Sequence, residues 1–388
     1  MKMIQKAFSY RLRPIKQQEV LFSKSAGSAR FIYNWGLAQI KHSLEKEKKI
    51  LSYVKIANQL PLLKKAEETV WLSEIHSQIL QQTLKDLEAS VKHFFKQRGK
   101  RKHVGFPKFK KKGVKDSFRY PQGVKCLDGK VFLPKVGWVR YYDSRLLEGT
   151  IQQATVKRVG EHWYISIVCE IPHAIEQVVI NEKKAIGIDL GLSHFASLSN
   201  GQVIANPAYF KKELKKLGFA QRLLCRKKKG SSNRKKAARR VAKIHRKVVN
   251  KRNDFLHKVS TELVKNHDII AVENLSISGM IQNRRLSRSI ADAGWAKFVT
   301  YLKYKALWLG KHVVQIGRFI PSSKLCSSCN ELQDMPLCIR RYACTACGLN
   351  IDRDLNASIN IRAAGLAVLN ACGGNGIGFP YEARISDF

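Results

Sequence analysis

Three carboxylates in the second half of the chain stand where apolar runs end, an unusual place for an isolated acid. Asp189 sits in Gly187-Ile188-Asp189-Leu190-Gly191, Glu273 closes Ala271-Val272-Glu273-Asn274-Leu275, and Asp354 lies in Asp352-Arg353-Asp354-Leu355-Asn356. A charge beside such runs is costly unless something positive sits against it. Phosphodiester hydrolysis has the matching demand, because it needs an activated water, a stabilised leaving oxygen and screening of the phosphate charge. Two divalent ions roughly 4 Å apart supply all of these. Magnesium takes oxygen ligands in an octahedral shell and keeps several waters, so a few carboxylates from different elements suffice to hold it. Asp189, Glu273 and Asp354 are therefore candidate catalytic residues and ligands for two magnesium ions. They lie 84 and 81 residues apart, so only the fold can make them neighbours.

A second constellation is tighter. Cys326-x-x-Cys329, fourteen intervening residues and Cys344-x-x-Cys347-Gly348 form two C-x-x-C pairs within 22 residues. Each turn presents two thiolates to one ion, and two turns close a tetrahedral sulfur shell around zinc. A closed shell leaves no position for water, which makes this a structural zinc. Cys338 lies between the pairs and is not expected to be a ligand, and Cys126, Cys169, Cys225 and Cys372 show no such pairing.

Each acidic motif is weak by itself. Gly-Ile-Asp-Leu-Gly also opens the phosphate-binding hairpin of actin- and chaperone-type ATPases, but no second Asp-x-Gly-Gly phosphate loop follows. An Asp at a helix start is commonly an N-cap, and Asp352 rivals Asp354 as the third ligand; Asp354 is preferred because it directly precedes Leu355-Asn356-Ala357-Ser358 at the helix entrance. Arg353 is open to two readings, a phosphate contact or a structural ion pair. Taken with a basic surface, the order Asp, Glu, Asp favours an RNase H-like (RuvC) nuclease core.

That surface is extreme. With 71 Lys+Arg against 29 Asp+Glu, a formal charge of +42, the chain condenses onto polyanions by displacing their counterions. Nucleic acid is the expected ligand. No apolar run reaches the roughly 18 residues of a membrane span, and Met1-Lys2-Met3-Ile4-Gln5-Lys6-Ala7-Phe8 lacks a secretory apolar core, so a cytoplasmic protein without membrane partners is expected. Residues 92–115 interleave eleven Lys/Arg with Phe94, Phe95, Phe106 and Phe109, a mixture suited to contact with nucleic acid. Residues 211–252 carry nineteen Lys/Arg and the single acid Glu213 over a thin apolar stripe, which predicts a basic helical hairpin lying on phosphates.

The elements that must position these groups change character along the chain. Ala7 to Leu12 alternates as a strand ending at Pro14, and from about 16 to 96 apolar residues such as Phe31, Ile32, Trp35, Leu80, Leu84, Leu87 and Val91 recur at helical steps. From 117 to 180 short alternating stretches between Gly-containing turns predict a small β-barrel completed by the N-terminal strand. At about 181 the pattern becomes α/β: a buried strand ending near Asp189 and a hairpin partner through Phe195–Leu198. A second strand follows at 268–272, then a helix around Trp295 to Leu309, a strand through Val313 and Ile316, and a closing helix over 354–369.

The ordered set Phe106-Pro107-Lys108-Phe109, Gly187 to Gly191, Asn250-Lys251-Arg252 with His257-Lys258, Val272-Glu273-Asn274-Leu275, Pro321-Ser322-Ser323-Lys324-x-Cys326 and Asp352-Arg353-Asp354-x-Asn356-Ala357 resembles the transposon-encoded TnpB (OrfB) proteins, relatives of type V CRISPR effector nucleases. Tyr33-Asn34-Trp35 and Gln81-Gln82 also fall at family-like places. The resemblance implies an insertion-sequence DNA endonuclease that carries a noncoding guide RNA from the transposon end and cuts target DNA beside a short motif. An accompanying transposase is a further partner open to it. It also implies a multidomain α+β chain. A β-barrel wedge is expected over 1–15 and 98–180, a helical recognition insert over 16–97, the RuvC-like core over 181–325 and 349–372, a zinc ribbon insertion over 326–348 and a flexible tail over 373–388. Asp189, Glu273 and Asp354 carry over as the magnesium ligands, and Cys326, Cys329, Cys344 and Cys347 as the zinc ligands. An RNA-guided repressor would be expected to have lost the acids. A strand-transferring transposase commonly needs a His-hydrophobe-His pair, which the sequence lacks.

Overall fold

The computed structural model describes residues 2–98, 105–173, 181–318, 320–336 and 339–371; the expected tail at 373–388, together with Cys338 and Cys372, lies outside them. The chain divides into two units, 1–174 and 175–388.

In the first unit, strand β1 (Lys2–Arg13) leads into helix α1 (Lys16–Lys46), short helices α2 (Tyr53–Ala57) and α3 (Leu60–Lys65), a 3-10 turn at Glu67–Glu74 and helix α4 (Ser77–Arg98). The helical periodicity read from the sequence is the buried face: Phe22, Ile32, Leu37 and Ile40 of α1 pack with Ile79, Leu80, Leu84, Leu87 and Val91 of α4. Strands β2 (Ser117–Tyr120), β3 (Lys125–Leu127), β4 (Lys130–Leu133), β5 (Gly137–Tyr141), β6 (Thr150–Val159) and β7 (His162–His173) follow. The sheet runs β2-β6-β7-β1-β5-β4-β3. The N-terminal strand joins it as expected, but at its centre: β1 pairs antiparallel with β7 from Lys2 to Arg11 and with β5 at Leu12 and Arg13. Its alternate residues Phe8, Tyr10 and Leu12 are buried, as a period of two requires.

The second unit is built on five strands, β8 (Ala185–Asp189), β9 (His194–Leu198), β10 (Val203–Ala205), β11 (Ile269–Glu273) and β12 (His312–Ile316), in the order β10-β9-β8-β11-β12. The first three form an antiparallel meander, while β8, β11 and β12 are parallel. Parallel neighbours need crossovers, and helices α5 (Tyr209–Cys225) and α6 (Ser232–Asn266) supply the first. Short helices α7 (Ile277–Met280) and α8 (Ser287–Ala293) with the longer α9 (Trp295–Trp308) supply the second. Helices α6 and α9 cover one face through Leu256, Leu263, Phe298 and Leu302, and α10 (Arg353–Ala371) packs Ile361 against Ala271 and Ile316. With both faces covered, β8 and β11 are apolar at nearly every position.

Two glycines set the distance of α10 from the sheet. A Cβ on Gly187 would lie 2.0 Å from the Ser358 carbonyl oxygen and 2.6 Å from the Arg362 nitrogen, and one on Gly365 would lie 2.4 Å from Ala271 Cβ. The first glycine of Gly-Ile-Asp-Leu-Gly is thus a point of backbone contact between strand and helix. Between β12 and α10 sits the cysteine module, with the short ribbon β13 (Arg341–Ala343) and β14 (Asn350–Asp352).

Candidate active site and cysteine centre

Strands β8 and β11 both end at an acid. Val272 pairs with Ile188 in parallel register, so Glu273 and Asp189 occupy the next position on adjacent strands. This is the carboxyl edge of a parallel sheet, where open α/β folds place their ligands. The close seat of α10 brings the start of that helix, with Asp354, to the same edge. Asp189 registers the company it keeps: burial first, then the charges of Glu273 and Asp354, push its carboxyl up to about 7, with Asp352 adding to the rise and Arg353 opposing it. In the cysteine module the four thiols bring all their ligand atoms within 4.8 Å of one another.

The two acids around Arg353 have different work. Asp352 Oδ1 accepts the backbone N–H groups of Asp354 (2.9 Å) and Leu355 (3.1 Å), so it caps α10. The Asp354 carboxylate stands in the first turn, where the helix dipole favours negative charge. Arg353 is buried, and its Nη1 donates to the carbonyls of Pro336 (3.1 Å) and Ile339 (3.4 Å), fastening the cysteine module to the helix.

Three further residues serve this edge without having been singled out by sequence reasoning. Ser322 is buried and donates its hydroxyl to Glu273 Oε1 at 2.5 Å. Asn360 donates to the carbonyls of Ser322 (2.8 Å) and Leu325 (2.6 Å), and Asn356 to that of Leu325 (2.7 Å). Ser322 and Asn356 lie inside the family-like motifs but carried no role there, and Asn360 lies in none. The available signal was the i,i+4 spacing of two asparagines on an otherwise apolar helical face.

In the cysteine module, Cys326 Sγ lies 3.6 Å from Cys347 Sγ, and Cys329 Sγ lies 3.6 Å from Cys344 Sγ. Disulfide sulfurs would be about 2.05 Å apart, whereas four sulfurs about 2.3 Å from a central zinc stand about 3.8 Å from each other. The two turns repeat one another. The Cys326 N–H donates to Glu331 O (2.9 Å) and its carbonyl accepts from Asn330 N (3.1 Å); the Cys344 N–H donates to Leu349 O (2.8 Å) and its carbonyl accepts from Gly348 N (3.1 Å). Each turn needs a left-handed residue at its end, provided by Asn330 (φ 63°) and Gly348 (φ 73°). Burial works against ionisation of Cys326, but the backbone N–H groups of Cys329 and Ser328 and the neighbouring thiols outweigh it and bring the thiol down to about 7. Such a sulfur is suited to metal binding.

The two basic segments take different forms. Helices α5 and α6 pair as the expected hairpin, and the lone acid Glu213 sits between Lys216 (4.0 Å) and Lys247 (3.7 Å). From Ser232 to Lys247 no residue of α6 is buried. In the first unit the aromatics of the basic loop serve packing as well: Phe106 meets Phe94 edge to face at 5.2 Å, and Lys41 covers Phe109. Asn34 clamps the loop by accepting from Lys110 N (2.7 Å) and donating to Lys110 O (3.0 Å). Residues 99–104 of this segment lie outside the described residues.

Comparisons with known proteins agree along the chain. The OrfB_IS605 family model, described as "Probable transposase", matches residues 166–284, and the "Cas12f1-like, TNB domain" model matches 295–361. A model described as "Helix-turn-helix domain" matches 1–49, where the structure has a strand and one long helix. InsQ of Escherichia coli (strain K12), whose name makes it a candidate RNA-guided DNA endonuclease, is 40% identical over 385 residues, spanning 95% of this chain and 94% of InsQ. A protein of Streptomyces pristinaespiralis with the same designation is 36% identical over 382 residues, 96% of this chain and 92% of its own. In fold, the chain is similar to the protein in the cryo-EM structure of the Cas12f1–sgRNA–target DNA complex, with a TM-score of 0.57 at 14% identity over 93% of this chain and 99% of that one. No described helix is long and apolar enough to cross a membrane.

Proposed function

This chain belongs to the OrfB (TnpB) family of insertion-sequence proteins, and from that membership we propose that it is an RNA-guided DNA endonuclease hydrolysing target DNA at the Asp189, Glu273 and Asp354 edge. The observation that carries the site assignment is the parallel register that delivers Asp189 and Glu273 to adjacent positions on one sheet edge, where burial first and then the charges of Glu273 and Asp354 hold the Asp189 carboxyl well above the usual carboxylate range. Three acids pressed together in a chain of charge +42 call for cations between them. Carboxylates from three different elements suit two ions about 4 Å apart, whose oxygen ligands must reach around both. Asp189, Glu273 and Asp354 would hold magnesium, which when bound activates water and screens the phosphate.

The residues divide the remaining work. Asp352 is committed to capping α10, which favours Asp354 as the third ligand. Arg353 is committed to the cysteine module, so phosphate contacts fall to the exposed cations of α5 and α6. Cys326, Cys329, Cys344 and Cys347 hold a structural zinc. The β8 to β12 sheet with α10 is the RuvC-like core over 181–325 and 349–372, with the ribbon over 326–348 inserted in it. The seven-stranded sheet of 1–15 and 98–180 is the wedge barrel and the helices of 16–97 the recognition insert. Cations that meet only phosphates position a nucleic acid without reading it, so specificity comes from base pairing with the guide.

The test is a guide exchange. Purified with the noncoding RNA of its element, the protein cuts DNA matching the variable end of that RNA in magnesium, and a new variable end moves the cut to the new match. Cutting that ignores the exchange removes the RNA from target choice, and matched binding without cutting identifies a repressor.

A further inference from the structure

We propose that Ser322 is a positioning residue for Glu273, held in place by an asparagine ladder on the same helix that carries Asp354, so that one hydrogen-bonded unit sets the spacing of the carboxylate site. The inference rests on the reading that Asp189, Glu273 and Asp354 bind divalent cations. A strand-end glutamate has three rotatable bonds and, alone, samples many positions. Ser322 removes that freedom: it is 5% exposed, and its hydroxyl donates to Glu273 Oε1 at 2.5 Å. Such a bond to a carboxylate is among the stronger ones, and it leaves the other oxygen to face a cation.

The hydroxyl is itself fixed. Its turn is closed by Lys324 N and Leu325 N donating to Pro321 O at 2.9 and 3.0 Å. Asn360 Nδ2 holds the Ser322 and Leu325 carbonyls, and Asn356 Nδ2 holds the Leu325 carbonyl from one helical turn earlier. Asn356 Oδ1 accepts Ser327 N at 2.9 Å, inside the first cysteine turn. Asn356 is fully buried and Asn360 is 5% exposed. Buried amides held by several hydrogen bonds fix one arrangement of backbone. The ladder therefore ties three things to α10: the hydroxyl that aims Glu273, the entry to the cysteine module and, two residues before Asn356, Asp354.

The experiment compares Ser322→Ala and the near-isosteric Ser322→Cys with the unaltered protein, both zinc-loaded. Manganese binding is followed by its paramagnetic resonance without nucleic acid, and guided cleavage is followed against magnesium concentration. Loss of a group that orients a metal ligand costs roughly tenfold or more in metal affinity. Both variants are expected to bind manganese about tenfold more weakly and to need about tenfold more magnesium for half-maximal cutting. Zinc content, melting temperature and guide RNA affinity should stay unchanged, and Asn360→Leu added to Ser322→Ala should not weaken manganese binding further. Unchanged manganese affinity in both serine variants, or an affinity loss that only accompanies loss of zinc or fold, overturns the proposal. Absence of guided cutting by the unaltered protein overturns instead the functional reading on which it rests.

Discussion

Asp189 carries a cost to the fold that a bound cation would offset. Its carboxyl titrates near 7, well above that of an unfolded chain. Below the unfolded value, about 4, the group is protonated in both states and stabilises the fold relative to neutral pH; as pH rises through about 7 the folded chain must carry the buried charge and that contribution is lost. Without magnesium at pH 8, Asp189→Asn should therefore raise stability, on the order of 1–3 kcal/mol, while abolishing cleavage; equal or lower melting temperature would show that the charge is already neutralised by the protein. The two acids beside Arg353 should separate. Asp354→Ala should remove cutting with little change in melting, whereas Asp352→Ala should lose about 1 kcal/mol of stability as a lost cap and retain measurable cutting. The reverse ranking would exchange their roles. The candidate acids were legible because a lone charge after an apolar run is conspicuous. Ser322 and Asn360 were not, because a buried Ser or Asn takes its meaning from partners tens of residues away.

At the scale of elements, helix α10 is the part that converts sheet geometry into site geometry. Gly187→Ala should move it, since the added carbon meets backbone atoms at 2.0 and 2.6 Å that no side-chain rotation relieves. A loss of several kcal/mol and of cleavage, with guide RNA still bound, is expected from thermal melting and binding assays. The cysteine module should carry one zinc per chain by elemental analysis, lost in Cys344→Ser and kept in Cys225→Ser; zinc retained by Cys344→Ser would break the ligand set. Strands β8 and β11 could be read because burial on both faces makes each a nearly continuous apolar run. The three-residue ribbon β13–β14 gave no periodicity to read. The central place of β1 is fixed by partners more than 120 residues away, which local pattern does not encode.

For the molecule as a whole, the charge of +42 makes association with nucleic acid strongly dependent on salt. Replacing the exposed Lys235, Lys236 and Lys243 of α6 by Gln should reduce the slope of log affinity against log salt by up to about 2 units, near 0.7 for each single-strand phosphate that is no longer neutralised. It should do so equally for matched and unmatched guides, and an unchanged slope would move the phosphate-binding surface off this helix. Composition made the polyanion partner legible and a thin apolar stripe the basic hairpin, whereas the pinning of the other basic segment by Asn34 needed the structure.

The order of the acids along the chain has a consequence during synthesis. The basic hairpin at Tyr209–Asn266 is complete on the ribosome before Glu273, and Asp354 follows Glu273 by 81 residues, roughly 4–16 s of translation at ordinary rates. A chain that stops in that interval carries the whole basic hairpin but lacks the last carboxylate. The three-carboxylate edge is thus completed last, after the chain's most basic segment.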